Sequence, residues 1–299
     1  MPEVIEIRKY AEFIKNKLKN QFITDIKILN GRYKKHKPFE NYKKITDMLP
    51  LKLLDVKTKG KFLYFIFDKN FYLFSTLGLS GGWCYLSNKN NKYNFSEIMD
   101  EFEKYEYDTS NYIKNALNHL NVEFVTEKGS LYYYDVLSFG TIKVIDNIED
   151  LNKKLNKIGP DIMDIDFELF ISQITKTKNL QKKIGIVLMD QKTISGIGNY
   201  LRADVLYLSK INPFRKVKTL TNLELKYIFN NSKLLTWGQY DLKMCKKLGF
   251  LNDKLPADYD RLFFVYMEDT DIHNYKIIKK ELYEGSQKRF IYYVPQIQK

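Results

Sequence analysis

The sequence predicts an α+β protein: an N-terminal β-sandwich domain with a flanking N-terminal helix, then a helical domain that ends in an antiparallel hairpin. Three observations predict it. Apolar residues near the start recur at helical spacing. Between about residues 60 and 145 the chain is a series of short aromatic and β-branched runs. Beyond residue 146 the spacing is helical again, until two β-type runs at the end.

Taken in order, Ile7, Ala11, Ile14 and Leu18 fall at i, i+4, i+7 and i+11, one apolar stripe of a first helix. Lys61 to Phe67, Phe71 to Thr76, Val122 to Thr126, Leu131 to Tyr134 and Thr141 to Ile145 read as strands, with Gly, Asn or Asp between them. Packing sheet on sheet against the helix accounts for this half. Residues 146–152 are polar and charged and read as a linker, giving domains of 1–145 and 153–299. In the second, Phe167, Phe170, Ile171 and Ile174 keep helical period, as do Ile184, Val187 and Leu188; Leu201, Val205 and Leu208; and Leu225, Ile228 and Phe229. Tyr275 to Leu282 and Arg289 to Val294 read as a hairpin around Glu284-Gly285-Ser286, within a terminal segment of about 260–299. The Lys- and Asn-rich stretch from Ser87 to Asn94 reads as an exposed loop, and there is no internal repeat.

Composition narrows the function. With 44% hydrophobic residues in 299, the chain can bury a core, which excludes a disordered protein. A net charge of +13 favours polyanions, since neutralising phosphates releases condensed counterions; an anionic membrane surface would attract it too. Two distant cysteines, Cys84 and Cys245, cannot make a disulfide framework or a cysteine-based zinc site. No signal peptide and no apolar stretch of about 20 residues is visible, so an intracellular soluble protein is expected, not a secreted or membrane-bound one.

Three local features bear on chemistry. Pro2, once Met1 is removed, is a secondary amine on a rigid ring beside the carboxyl of Glu3. An α-amine titrates near about 8, so part of it is available to attack an electrophilic sugar carbon, with the acid moving protons. Met-Pro-Glu also opens many proteins by chance. Gly196-Ile197-Gly198-Asn199-Tyr200 opens a helix whose N–H groups, with the Asn199 amide, suit a phosphate. It reads equally as a tight interhelical turn with a cap. Lys288-Arg289-Phe290-Ile291-Tyr292-Tyr293 places a guanidinium among aromatics, either to grip phosphates or as an ordinary half-exposed strand.

Together these features resemble the formamidopyrimidine-DNA glycosylase/endonuclease VIII family. Leu188 to Gln191 and Ser195 to Tyr207, continued by Ile211-Asn212-Pro213-Phe214, are similar to the helix–two-turn–helix of its endonuclease VIII-like members. The resemblance implies a base-excision-repair enzyme for oxidised bases, working through a proline Schiff base and β,δ-elimination without a cofactor. It makes Pro2 the nucleophile, Glu3 the proton-transfer acid, Glu6 a supporting acid and Lys61 the strand-turn lysine. Asn199 and Arg289 become DNA-binding residues. Leu79, Leu137 and Phe139 match the places that fill the gap left by a flipped base. Damaged double- or single-stranded DNA is the implied partner and a monomer the default state.

The chain departs from the family at several points. Many members carry Cys-Pro-x-Cys-Gln where this chain has Val294-Pro295-Gln296-Ile297-Gln298, and His273 and Lys276 fall near the other cysteine pair. A zincless finger with no metal site is therefore expected. Leu137 stands where arginine is usual and cannot hydrogen-bond an orphaned base. Val4-Ile5 replaces the usual pair before Glu6. The alternatives are a non-catalytic relative that binds damaged or single-stranded DNA, and an RNA-binding module with stacking tyrosines.

Overall fold

The structure, a computed structural model, describes residues 2–96, 99, 109–251, 263–284 and 287–299. It divides into two compact units, residues 1–2 with 6–156, and residues 3–5 with 157–299.

The first unit is an α+β sandwich, as the sequence predicts. Helix α1 spans Val4–Leu18, and its Ile7, Ala11, Ile14 and Leu18 are buried on one face. The strands are β1 (Phe22–Ile28), β2 (Leu51–Lys59), β3 (Phe62–Phe67), β4 (Tyr72–Thr76), β5 (Gly81–Ser87), β6 (Tyr93–Phe95), β7 (Leu120–Thr126), β8 (Gly129–Asp135) and β9 (Thr141–Ile145). They pair antiparallel in the order β6-β5-β8-β7-β1-β2-β3-β4-β9. Residues from eight of these strands and from α1 share one core, so the sheet folds over upon itself. Trp83 sits at its heart, fully buried, with the rings of Phe65, Tyr133 and Phe124 centred 5.0, 5.2 and 5.7 Å away. Short helices α2 (Gly31–Lys35), α3 (Tyr42–Thr46) and α4 (Thr109–Asn118) complete the unit. Residues 148–156, partly inside the segment read as a linker, form helix α5 (Ile148–Asn156).

The second unit is helical and ends in a hairpin. Helices α6 (Phe167–Ile174), α7 (Ile184–Val187), α8 (Asn199–Leu208), α9 (Asn222–Tyr240) and α10 (Leu242–Lys247) follow in order. Their starts are written in the sequence: the Asp166 side chain caps α6, and Thr221 and Glu224 form a capping box on α9. The hairpin pairs β10 (Ile278–Glu284) with β11 (Gln287–Tyr293), Leu282 facing Arg289. Gly285 and Ser286 of the expected turn lie outside the described residues. No helix among the described residues is long and apolar enough to cross a membrane.

Candidate active site

Glu3 is the centre of the second unit's candidate chemistry. Its side chain is fully buried, and its two carboxylate oxygens accept from the N–H of Gly198, at 2.5 Å, and of Tyr200, at 3.0 Å. Gly198 precedes α8 and has no side chain to cap it. The acid from residue 3 therefore serves as the cap, favoured by the positive end of the helix dipole. Of the two readings of this segment, the capped turn describes these two N–H groups, which are taken by Glu3. Gly196 makes the approach possible. It has φ +107°, and a Cβ there would lie 3.0 Å from Val4 Cβ. The Gln191 side chain closes the turn, donating to the Ile197 carbonyl and accepting from the Gly196 N–H. Val4 and Ile5, the pair noted above as a departure, are buried in this unit's core.

Asn199 opens α8 half-buried. Its Oδ1 accepts from Arg202 Nη2 at 2.5 Å. Arg202, buried to 1% exposure, donates as well to the carbonyls of Gly185 and Phe290. One guanidinium thus links α8 to α7 and to the strand that carries Arg289, which is itself exposed. Sequence reasoning missed Arg202, because a buried arginine on a helix leaves no local signature. It missed Asp204 too. That carboxyl is buried and accepts from the N–H groups of Val265 and Tyr266. Burial, and to a lesser extent the charge of Glu3, pushes its pKa up to about 7.

Two buried polar side chains, Asp271 and Gln298, hold the chain around the hairpin. Buried Asp271 accepts from the Tyr207 hydroxyl and from the N–H groups of His273 and Tyr275. Gln298 accepts from the Val294 N–H and donates to the Ile211 carbonyl. Val294 is fully buried and Ile297 packs on the same core, while His273 is exposed. A structural zinc takes four nitrogen, thiolate or carboxylate ligands; Val294, Ile297 and Gln298 supply none of these, and Asp271 is engaged by three hydrogen bonds. Among the described residues no group of three or more His, Cys, Asp and Glu could hold a metal.

In the first unit, Pro2 is half-buried just ahead of α1, and Glu6 lies in that helix's first turn. Lys61 sits with Gly60, at φ +55°, in the tight turn that joins Lys59 of β2 to Phe62 of β3. The Lys59 ammonium, donating to the Leu155 carbonyl, ties this turn's base to α5. Leu79, Leu137 and Phe139 stand on two loops that touch, with 45, 52 and 62% of their surfaces exposed. Cys84 and Cys245 are both buried, and burial raises their thiol pKa values.

Residues 1–142 match the profile of the formamidopyrimidine-DNA glycosylase N-terminal domain, and residues 158–236 that of the same enzyme's H2TH domain. The chain belongs to the formamidopyrimidine-DNA glycosylase/endonuclease VIII family. It is thus a DNA glycosylase and abasic-site lyase of that family, acting on damaged DNA. Among its relatives, the formamidopyrimidine-DNA glycosylase of Mycoplasma genitalium is 28% identical over 234 residues, 78% of this chain and 72% of that one. The enzyme of Ligilactobacillus salivarius is 28% identical over 233 residues, covering 77% and 74%. In fold, the chain is similar to Lactococcus lactis formamidopyrimidine-DNA glycosylase bound non-covalently to abasic-site DNA, with a TM-score of 0.73, 19% identity and 99% of each chain covered.

Proposed function

We propose that this family member is endonuclease VIII-like, has a zincless finger, and removes oxidised pyrimidines and formamidopyrimidines from double- or single-stranded DNA. Removal of Met1 frees the Pro2 amine, which attacks C1′ of the damaged nucleotide as the base leaves. Glu3 transfers the protons, supported by Glu6. The resulting iminium acidifies the C2′ proton, so elimination cuts the strand on the 3′ side and then on the 5′ side. Lys61 steadies the phosphate or the base. Asn199 and Arg289 grip the backbone, while Leu79, Leu137 and Phe139 occupy the space left by the flipped base.

The observation that carries this reading is the buried Glu3 carboxylate, held by the N–H groups of Gly198 and Tyr200 and next in the chain to Pro2. An immobilised acid adjacent in the chain to a rigid-ring amine supports a proton-transfer role for Glu3. Two similarly folded structures support the substrate class: a mutant of the Lactococcus lactis enzyme with DNA containing Fapy-dG, and the wild-type Lactococcus lactis enzyme with DNA containing an oxidised pyrimidine. For the finger, the support is the hydrogen-bonded setting of Asp271 and Gln298, which holds the hairpin's base without thiolates.

Borohydride trapping on an oligonucleotide with one abasic site tests the nucleophile. The native chain is expected to give a covalent adduct that Pro2→Gly and an N-terminally extended chain lose. No adduct from the native chain, with DNA binding intact, would overturn the assignment.

A further inference from the structure

Leu79, Leu137 and Phe139 are exposed, yet the loops beneath them are fastened at several points. The Ser80 hydroxyl donates to Asp135 Oδ1 and accepts from the Leu137 N–H, both at 2.8 Å. The other Asp135 oxygen accepts from the Gly140 N–H at 2.7 Å and from the Tyr133 hydroxyl at 3.5 Å. Asp135 itself is buried, 1% exposed. From a different direction, Arg32 Nη1 donates to the carbonyls of Ser138 and Gly140, each 3.2 Å away. The loops also touch directly. A Cβ on Gly78 would lie 2.6 Å from the Gly140 nitrogen and 2.8 Å from the Phe139 carbonyl carbon, so nothing larger than glycine fits there.

This arrangement sets two opposed tendencies against each other. Apolar side chains at loop tips gain by folding back onto the protein, and a slack loop lets them do so. Here the backbone on both sides of Phe139 is tied by side chains, so the tips stay outside. One buried carboxylate accepts from the far end of the 135–140 loop, and through Ser80 it also holds the 77–81 loop. We infer that Ser80 and Asp135 are positioning residues for base extrusion. They fix the distance and direction between Leu79 on one loop and Leu137 and Phe139 on the other, so that the three enter the base stack as one pre-formed wedge. Ordering these tips beforehand removes an entropy loss that binding would otherwise carry. The inference rests on the reading of the three apolar residues as the ones that fill the vacated space.

The test uses a duplex with 2-aminopurine opposite an abasic-site analogue, its fluorescence rising on binding as the probe is unstacked. Single-turnover excision from a lesion-containing duplex and melting temperature are measured alongside. Ser80→Ala and Asp135→Asn are expected to cut both the fluorescence rise and duplex excision about three- to tenfold, the effect of losing one or two buried hydrogen bonds. Ser80→Ala should melt within a few degrees of the native chain, and Ser80→Thr, which keeps the hydroxyl, should restore both signals. Leu79→Ala and Phe139→Ala serve as controls on the underlying reading. If they leave fluorescence and excision unchanged, the wedge reading fails and the inference with it. If they lower both while Ser80→Ala and Asp135→Asn do not, the wedge stands and the positioning role is refuted.

Discussion

Arg202 holds the Asn199 side chain by its oxygen: Nη2 of the guanidinium donates to Asn199 Oδ1, and the same nitrogen donates to the Phe290 carbonyl. An amide gripped at its oxygen cannot flip, so its N–H₂ end keeps one direction. A charged partner also polarises the amide and strengthens its donors.

Asn199→Ala is therefore expected to weaken binding to an abasic-analogue duplex about tenfold or more, the worth of a hydrogen bond to a charged phosphate. Arg202→Met should weaken it comparably, and the double variant by little more than either single one. Fluorescence anisotropy at fixed salt measures all three. Additive losses would mean that Arg202 does not act through Asn199.

Glu3→Gln keeps an oxygen for one of the two α8 N–H groups but removes the charge and the transferable proton. Single-turnover excision should fall by at least about a hundredfold, with duplex affinity changed far less. A comparable fall in affinity would make Glu3 a structural cap alone.

Asp204 gives stability a pH dependence of unusual sign. Its pKa in the folded chain is pushed up to about 7, above that of an ordinary carboxyl. The folded state thus binds this proton more tightly than the unfolded state. The stabilisation is complete below the unfolded pKa and is lost as pH rises through about 7. Asp204→Asn, which cannot ionise, should gain stability relative to the native chain between pH 5 and about pH 8 in paired urea melts. A constant difference across that range would refute the assignment.

Dialysis against a strong chelator should leave melting temperature and lyase activity unchanged. Asp271→Ala, by contrast, strips the Tyr207 hydroxyl and two backbone N–H groups of their acceptor. It should destabilise the chain by on the order of 3 kcal/mol, read in the same urea melts. A drop in either signal on chelation would restore a metal to the finger.

Leu137→Arg should introduce a preference for the base opposite the lesion, because a guanidinium donates hydrogen bonds where leucine cannot. Excision rates across the four opposite bases check this. An unchanged ranking would place opposite-base recognition at another residue.

Much of this was legible in the residues. The strands from Phe62 to Phe67 and Thr141 to Ile145 are continuous β-branched or aromatic runs, and their bounds fall within a residue of expectation. β1 and β2 were hidden because each carries a register shift, at Ile23/Asp25 and Leu53/Asp55, which breaks the alternation a reader looks for. β5 opens on two glycines that look like a turn. Their true cause is crowding, since a Cβ on Gly82 would meet the hydroxyls of Tyr134 and Tyr10 at 2.2 and 2.3 Å. The candidate site follows the same division. Asn199 and its glycines announce themselves locally, but the cap on α8 comes from residue 3, and no sequence window spans that separation.

That separation has a consequence for how the enzyme is made. The Glu3 carboxylate is synthesised 195 residues ahead of the Gly198 N–H and 197 ahead of the Tyr200 N–H. Until then the Glu3 carboxylate lacks the two N–H partners that it has in the folded chain. The cap on α8 is therefore completed only once the chain has been made through residue 200, when the helix it caps can form.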